Sequence, residues 1–329
     1  MTNNPVQWSE ATEAVKQAAS IVCVTHVNPD GDAIGSLMGL TLALREMGKK
    51  VDAAVDGGVP DFLKFIPGTD DVISKLKHGR WELMISLDAS DEERTGVAGA
   101  FGRARAPKVI NLDHHPTNIF FGDLFLVVPT AVSATEVVYD WLTYMGHPIS
   151  QPVATALLTG LVTDTLCFRT SNVTANTLSI AQSLMTAGAS LSAITFRALS
   201  STPYNVIELW KHAFQSVQLQ NSVISGVVRQ DDLKNAHLNE VTDGGLVGML
   251  ITVNEAFIAV VFKELEDGRV ELSFRSKPGF DVGSVAFSLG GGGHRQASGA
   301  TIPGPLEAAQ ARVMPLLYEA VANGVLTII

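Results

Sequence analysis

Four short apolar runs in the first half of the chain, residues 21–25 (IVCVT), 51–55 (VDAAV), 83–87 (LMISL) and 108–112 (KVINL), alternate with helical patterns. No other feature constrains the fold as strongly. Parallel strands need long crossover connections, and helices in those crossovers cover both faces of the sheet, so its strands read as nearly continuous apolar runs. The first, third and fourth runs are followed at once by clusters that contain acids and histidines or by an acid. After the first, Ile34, Leu37, Met38, Leu42 and Leu44 recur at helical spacing, and Gly48 stands where a helix end favours a left-handed residue. Residues 152–164 are small or apolar nearly all round, which predicts a helix buried inside the domain and ending on Asp164.

A chain of 329 residues is long for a single core. The expected architecture is α/β: a mostly parallel-sheet N-terminal domain over 1–189, a helical linker over 190–222, and a smaller α/β C-terminal domain over 223–329. The last contains strand-like runs at 223–228, 257–262 and 270–274, a run of four glycines, and an amphipathic helix over 306–323.

Hydrophobic residues at 46% against 17% charged supply a sizeable core. A net charge of −10 argues against a long duplex as the main ligand, because such binding draws its affinity from Lys and Arg on phosphates. The opening MTNNPVQWSE lacks a basic and apolar leader, and no stretch is apolar for long enough to cross a bilayer, so a cytoplasmic protein is expected. Cys23 and Cys167 lie in apolar surroundings and are expected to be buried, reduced thiols.

Residues 25–36 read THVNPDGDAIGS and crowd His26, Asp30 and Asp32 into one strand-to-helix loop, where Gly31 permits a tight turn. Asp88 ends the third run; Asp113, His114 and His115 end the fourth. In open α/β sheets such loops gather at the carboxyl edge, where ligands bind. Carboxylates assembled without Lys or Arg repel one another, and divalent cations relieve that repulsion. Imidazole mixed with carboxylate suits manganese, iron or zinc better than calcium, and six such ligands are enough for two ions. Two ions in one site activate water and stabilise charge on phosphoryl oxygens. Taken alone, Asp30 and Asp32 fit a turn and a helix N-cap equally well. Capping does not explain several strand ends delivering ligand types to one edge.

THVNPDGDAIGS, LDASD at 87–91, NLDHH at 111–115 and GLVTDT at 160–165 resemble, in order and spacing, the four motifs of the DHH phosphoesterases. SFRSK at 273–277 and GGGGHRQASG at 290–299 resemble the DHH-associated substrate domain. The resemblance implies that His26, Asp30 and Asp88 hold one metal and that Asp32, Asp88, His114 and Asp164 hold the other, with Asp88 bridging. It places His115 near the scissile phosphate and gives Asp113 the task of orienting its neighbours. In the second domain it implies a phosphate clamp of Arg275, Ser276, Gly291, Gly292, Gly293, His294 and Arg295, with glycine N–H groups open to an approaching phosphate. A flexible linker or tight turn is the bland alternative for those glycines. Leu289 stands where relatives often carry an aromatic, and Phe274, Phe280, Tyr204 and Trp210 are expected in the core.

Within the family, this compact two-domain form is similar to the nanoRNase and 3′-phosphoadenosine 5′-phosphate (pAp) phosphatase branch. The implied activity is hydrolysis of short RNA to nucleoside 5′-monophosphates and of pAp to AMP and phosphate. An acidic chain with one small clamp suits short single strands, dinucleotides and pAp. The implied cofactor is a pair of divalent ions, manganese foremost, with Mg2+, Co2+, Fe2+ and Zn2+ as alternatives. A homodimer is compatible with all of this. Competing readings are a cyclic or linear dinucleotide phosphodiesterase and, in another class, a non-catalytic nucleotide sensor.

Overall fold

The computed structural model describes residues 6–200 and 202–326. It divides into two compact units, residues 1–201 and 202–329.

The first unit runs α1 (Trp8–Gln17), β1 (Ser20–Val24), α2 (Gly31–Glu46), β2 (Lys50–Ala54), β3 (Leu83–Leu87), α3 (Gly96–Arg103), β4 (Val109–Asp113), β5 (Leu124–Val127), α4 (Ala134–Tyr144), α5 (Gln151–Asp164), α6 (Ala175–Thr186) and α7 (Leu191–Leu199). Its five strands lie in the order β2-β1-β3-β4-β5, all parallel. From β1 the chain passes to β2 on one side and then to β3 on the other. The crevice at the carboxyl ends of β1 and β3 is therefore the topological switch point. Cys23, Ile85, Ile110 and Leu112 pack on α2, α4 and α5 on one face. Val22, Val24, Met84 and Val109 pack with Ala98 of α3 on the other.

Gly31, Gly35 and Gly39 recur one turn apart along α2 and leave a smooth flank against α5. A Cβ at Gly35 would lie 2.7 Å from the Ala156 carbonyl oxygen and 2.9 Å from the Gly160 nitrogen. One at Gly31 would lie 2.3 Å from Thr163 Oγ1. This close approach brings the first turn of α2, with Asp32, beside the last turn of α5, with Asp164.

The second unit runs α8 (Tyr204–Ala213), β6 (Gln218–Gln220), β7 (Val223–Val228), α9 (Gln230–Asn235), α10 (Leu246–Leu250), β8 (Ile258–Glu264), β9 (Arg269–Ser276), α11 (Val282–Ser288), β10 (Gly292–His294), β11 (Ala297–Pro303) and α12 (Leu306–Asn323). Its sheet has the order β10-β11-β9-β8-β7-β6, parallel only between β7 and β8. One face, with Val260, Phe262, Leu272 and Phe274, packs on α11 and α12. The other, with Ile224, Ala259 and Val261, packs on α8, α9 and α10.

Several expectations need correcting. The helices of the segment expected as a linker, 190–222, are absorbed into the two units: Ile194 of α7 joins the first core, Leu209 and Ala213 of α8 join the second. Apolar faces on these helices would be costly to leave in water. Tyr204 is not in the core; it is 76% exposed at the start of α8 and hydrogen-bonds Glu208. Phe274 and Phe280 are buried as expected, Trp210 is only half-buried against the second core, and of the two thiols expected to be buried Cys23 is and Cys167 is only partly so.

Candidate metal centre

All eight expected residues of the first unit sit at the carboxyl ends of β1, β3 and β4 or on the facing turns of α2 and α5. His26 and Asp30 follow β1. Asp30 is the N-cap of α2, its Oδ1 accepting from the Asp32 and Ala33 N–H groups at 3.0 Å, so the capping reading is also true of it. Asp32 lies one turn inside and accepts from the Ala134 and Thr135 N–H groups at the start of α4, at 2.6 and 3.0 Å. Both acids gain from the positive ends of helices.

Asp88 holds a left-handed backbone, φ 54°, immediately after β3, while its N–H continues the ladder to Leu112 O at 2.9 Å. Such a conformation costs free energy in a non-glycine residue and concentrates at functional sites. Its carboxylate lies 3.6 Å from His26 Nε2 through Oδ2, and 3.7 Å from His114 Nε2 through Oδ1. His114 Nε2 is also 3.7 Å from Asp32 Oδ2 and from Asp164 Oδ2. Ligand atoms of His26, Asp30 and Asp88 form one group within 4.8 Å, and those of Asp32, His114 and Asp164 form another. Asp88 touches both.

The tautomers are set by the backbone. His26 Nδ1 donates to Val27 O at 2.8 Å, and His114 Nδ1 faces Ala131 O at 3.4 Å, which turns each Nε2 lone pair toward the carboxylates. Burial lowers the His26 pKa and keeps it neutral. His115 differs: its Nδ1 donates to Asp113 Oδ1 at 2.8 Å, and Asp113 Oδ2 accepts from Asn118 Nδ2 at 2.6 Å. Burial opposes charge on both members of this pair, but their mutual hydrogen bond and attraction prevail, raising His115 and lowering Asp113.

The acids show the mutual repulsion and cost of burial that divalent cations relieve. Burial, then the charge of Asp30, pushes Asp32 up to about 7. Burial, then Asp32 and Asp30, pushes Asp164 up to about 9. Asp88 is driven well above the carboxylate range by burial and then by Asp32, Asp30, Asp113 and Asp164. Asp88 Oδ1 is a buried oxygen with no hydrogen-bond donor among the described residues. A buried acceptor without a donor is costly, and a cation between the two ligand groups would satisfy it. The residues therefore fit a pair of divalent ions.

Asn118 and Arg94 were missed by sequence reasoning. Asn118 orients Asp113 and also reaches Ala89 O at 3.2 Å. Its signal was its position three residues after His115, which the Asn118 N to His115 O turn folds back at 3.1 Å. Arg94 O accepts from Val27 N at 2.8 Å, and its charge opposes protonation of His26 and His115.

In the second unit, His294, Ala297 and Arg275 are paired in one row across β10, β11 and β9. Residues paired in this way point to the same face, so an imidazole and a guanidinium flank a floor of Ala297 roughly 10 Å wide. Arg275 is half-buried, donates to Phe274 O at 2.9 Å, and has no carboxylate within ion-pair distance among the described residues. Burial lowers its pKa and Asp243 opposes that. The glycine run is narrower as a cradle than expected. Gly291 donates to Ala286 O and Gly290 to Phe287 O, closing the end of α11 around a left-handed Gly290 (φ 83°). Gly292 and Gly293 then enter β10. Ser276 Oγ donates to Phe280 O at 2.9 Å, and Arg295 pairs with Asp281 beside a cavity of about 320 Å³ lined also by Ser284 and Glu319. Neither side chain joins the His294–Arg275 row.

Residues 20–161 match the DHH family, N-terminal domain, and residues 221–319 match the DHHA1 domain. A Thermus thermophilus protein named bifunctional oligoribonuclease and PAP phosphatase NrnA is 34% identical over 94% of this chain and 92% of its own. The chain belongs to the DHH family of phosphoesterases. A Bacillus subtilis protein of the same name is 32% identical over 89% of this chain and 93% of its own. An exopolyphosphatase-related protein from Bacteroides fragilis superposes with a TM-score of 0.87 at 24% identity, covering 97% and 98% of the two chains, and shows the shared fold. DHH phosphoesterases are metal-dependent hydrolases, in keeping with the acid and histidine cluster. No helix among the described residues is long and apolar enough to cross a membrane.

Proposed function

We propose that this DHH protein is a two-metal phosphoesterase that trims RNA fragments of a few nucleotides to nucleoside 5′-monophosphates and converts pAp to AMP and phosphate. The observation that carries the reading is the Asp88 carboxylate, buried, partly unsatisfied and touching both ligand groups. The names of the Thermus and Bacillus relatives support the substrates. His26, Asp30 and Asp88 would hold one ion and Asp32, Asp88, His114 and Asp164 the other, with manganese foremost and Mg2+, Co2+, Fe2+ and Zn2+ as alternatives. When bound, such a pair neutralises phosphoryl charge and activates water for attack at phosphorus.

The chain's own residues supply the rest. His115, anchored through Nδ1 by Asp113, carries a proton toward the leaving oxygen, and Asp113 keeps its ring in register. Arg275 and His294 hold a non-scissile phosphate by charge-assisted hydrogen bonds. Region 1–189 thus performs the chemistry and region 223–329 selects the substrate, in a cytoplasmic enzyme that acts on short single strands.

Hydrolysis with added manganese of a 5′-phosphorylated RNA dinucleotide, pAp, a 24-mer RNA, cyclic di-AMP and pyrophosphate tests the assignment. Fast turnover of the first two is expected. Preference for cyclic di-AMP or the 24-mer would move the protein to another branch of the family. Tight cation binding with no turnover of any of them would make it a sensor.

A further inference from the structure

β4 is buried at every position, and Asn111 in the middle of it is 0% exposed. A buried parallel strand favours Val, Ile or Leu, and an amide there costs free energy unless its polar atoms find partners. Only one end of this amide does. Asn111 Oδ1 has no hydrogen-bond donor among the described residues, while Nδ2 donates to the Ala89 carbonyl oxygen at 3.0 Å. Leucine, of nearly the same shape, would fill the position without leaving an oxygen bare.

The Ala89 carbonyl belongs to the turn that carries Asp88. Asp88 is left-handed at φ 54°, a conformation that its surroundings have to hold. Before it, the Asp88 N–H donates to Leu112 O at 2.9 Å. After it, Ala89 O accepts from Asn111 Nδ2. Adjacent residues of one strand therefore fasten the chain on both sides of the bridging ligand. Asn118 Nδ2 reaches the same carbonyl oxygen at 3.2 Å, filling its second lone pair, and donates its other N–H to Asp113 Oδ2. The Ile119 N–H to Ser90 O bond, 2.9 Å, ties the turn down one residue further on. The two amides thus divide: Asn111 acts on the Asp88 turn alone, and Asn118 acts on that turn and on the Asp113–His115 pair.

We infer that Asn111 is a positioning residue for the bridging carboxylate: by holding the Ala89 carbonyl it fixes the direction in which Asp88 faces both ligand groups, and so sets the affinity for divalent cations without supplying a ligand. That task accounts for a polar side chain whose oxygen is left bare in the middle of a buried strand; packing alone does not. Asn118 shares the carbonyl and adds a second effect through Asp113.

The inference rests on the two-cation reading above and deepens it. Loss of a partner that orients a metal ligand lowers metal affinity by about 10- to 100-fold. The test titrates manganese into the metal-free full chain by calorimetry, for wild type, Asn111→Leu, Asn111→Ala and Asn118→Ala, with Tm in chelator and dinucleotide turnover measured on the same proteins. Asn111→Leu should bind manganese at least about 10-fold more weakly than wild type. Its Tm in chelator should be equal or higher, because a buried oxygen without a donor is removed and Ala89 O keeps Asn118. Asn111→Ala should weaken manganese binding to the same degree, whatever its cavity does to Tm. Raising manganese should recover more of the lost turnover in the Asn111 variants than in Asn118→Ala, which also releases Asp113. Manganese affinity equal to wild type in both Asn111 variants would overturn the inference, as would a loss confined to Asn111→Ala and in step with a lower Tm. Equal recovery in Asn118→Ala would refute the division between the two amides. Wild type that binds manganese without hydrolysing the dinucleotide, with affinity still lost in Asn111→Leu, would keep the positioning role and refute the hydrolase assignment.

Discussion

Removing the divalent cations should make the protein lose stability as the pH rises. Asp32 is fully buried and its carboxyl is pushed from 3.8 up to about 7 in the cation-free fold. Between those values the unfolded chain has released this proton and the folded chain still holds it, so raising the pH favours unfolding. The slope is about 1.4 kcal/mol per pH unit. From pH 5 to pH 7 Asp32 alone removes about 3 kcal/mol, and above pH 7 its contribution is flat. Asp164, near 9, extends the decline to higher pH. For a unit of this size that loss corresponds to a fall in Tm on the order of 10 °C. Cations bind the ionised carboxylates, so manganese should restore Tm most at pH 8 and least at pH 5. Differential scanning calorimetry in chelator and in manganese, at pH 5, 6, 7 and 8, measures this. Equal Tm values at pH 5 and pH 8 in chelator, with no manganese-dependent rise at pH 8, would refute the reasoning.

Other perturbations separate the parts of the site. Asp88→Asn should abolish manganese-dependent hydrolysis yet raise the Tm of the chelated protein at pH 8, because it removes a buried carboxyl whose ionisation the fold opposes; a lower chelated Tm would count against that. Gly35→Ala drives a methyl into the α5 backbone and should cost about 1–3 kcal/mol in denaturant unfolding while lowering kcat; full stability would show that the helices can part freely. Leu166→Gly should stabilise the fold by about 1 kcal/mol, since Leu166 is half exposed and left-handed at φ 48°; an unchanged or lower denaturation midpoint would mean its packing outweighs the strain. His294→Ala should raise KM for pAp with kcat little changed, and an unchanged KM would remove it from the clamp.

Much of the first unit was legible because its strands are short apolar runs with ligand residues at their ends. β3 is the expected 83–87, and β1, β2 and β4 are each displaced by one residue from the runs that announced them. α5 ends on Asp164 and α12 spans 306–323, both as read from periodicity. β11 was not legible: ASGATIP has small residues and a proline, and it is held extended by pairing along its whole length with β9. β5 was missed because four residues between two loop segments leave too little pattern. At the site, residue types and loop positions could be read, but not which oxygen faces which nitrogen. That depends on the glycine-mediated contact of α2 with α5 and on the strained turn at Asp88. The glycine run was read as an open cradle because sequence does not show that Gly290 and Gly291 must first end α11.

The central claim, two cations bridged by Asp88 and required together, is tested most directly by following dinucleotide hydrolysis while metal-free protein is titrated with manganese and bound metal per chain is counted. The account predicts two manganese ions per chain, with turnover appearing as the second site fills and absent in Asp88→Ala. Full turnover with one ion per chain, or with none, would contradict it.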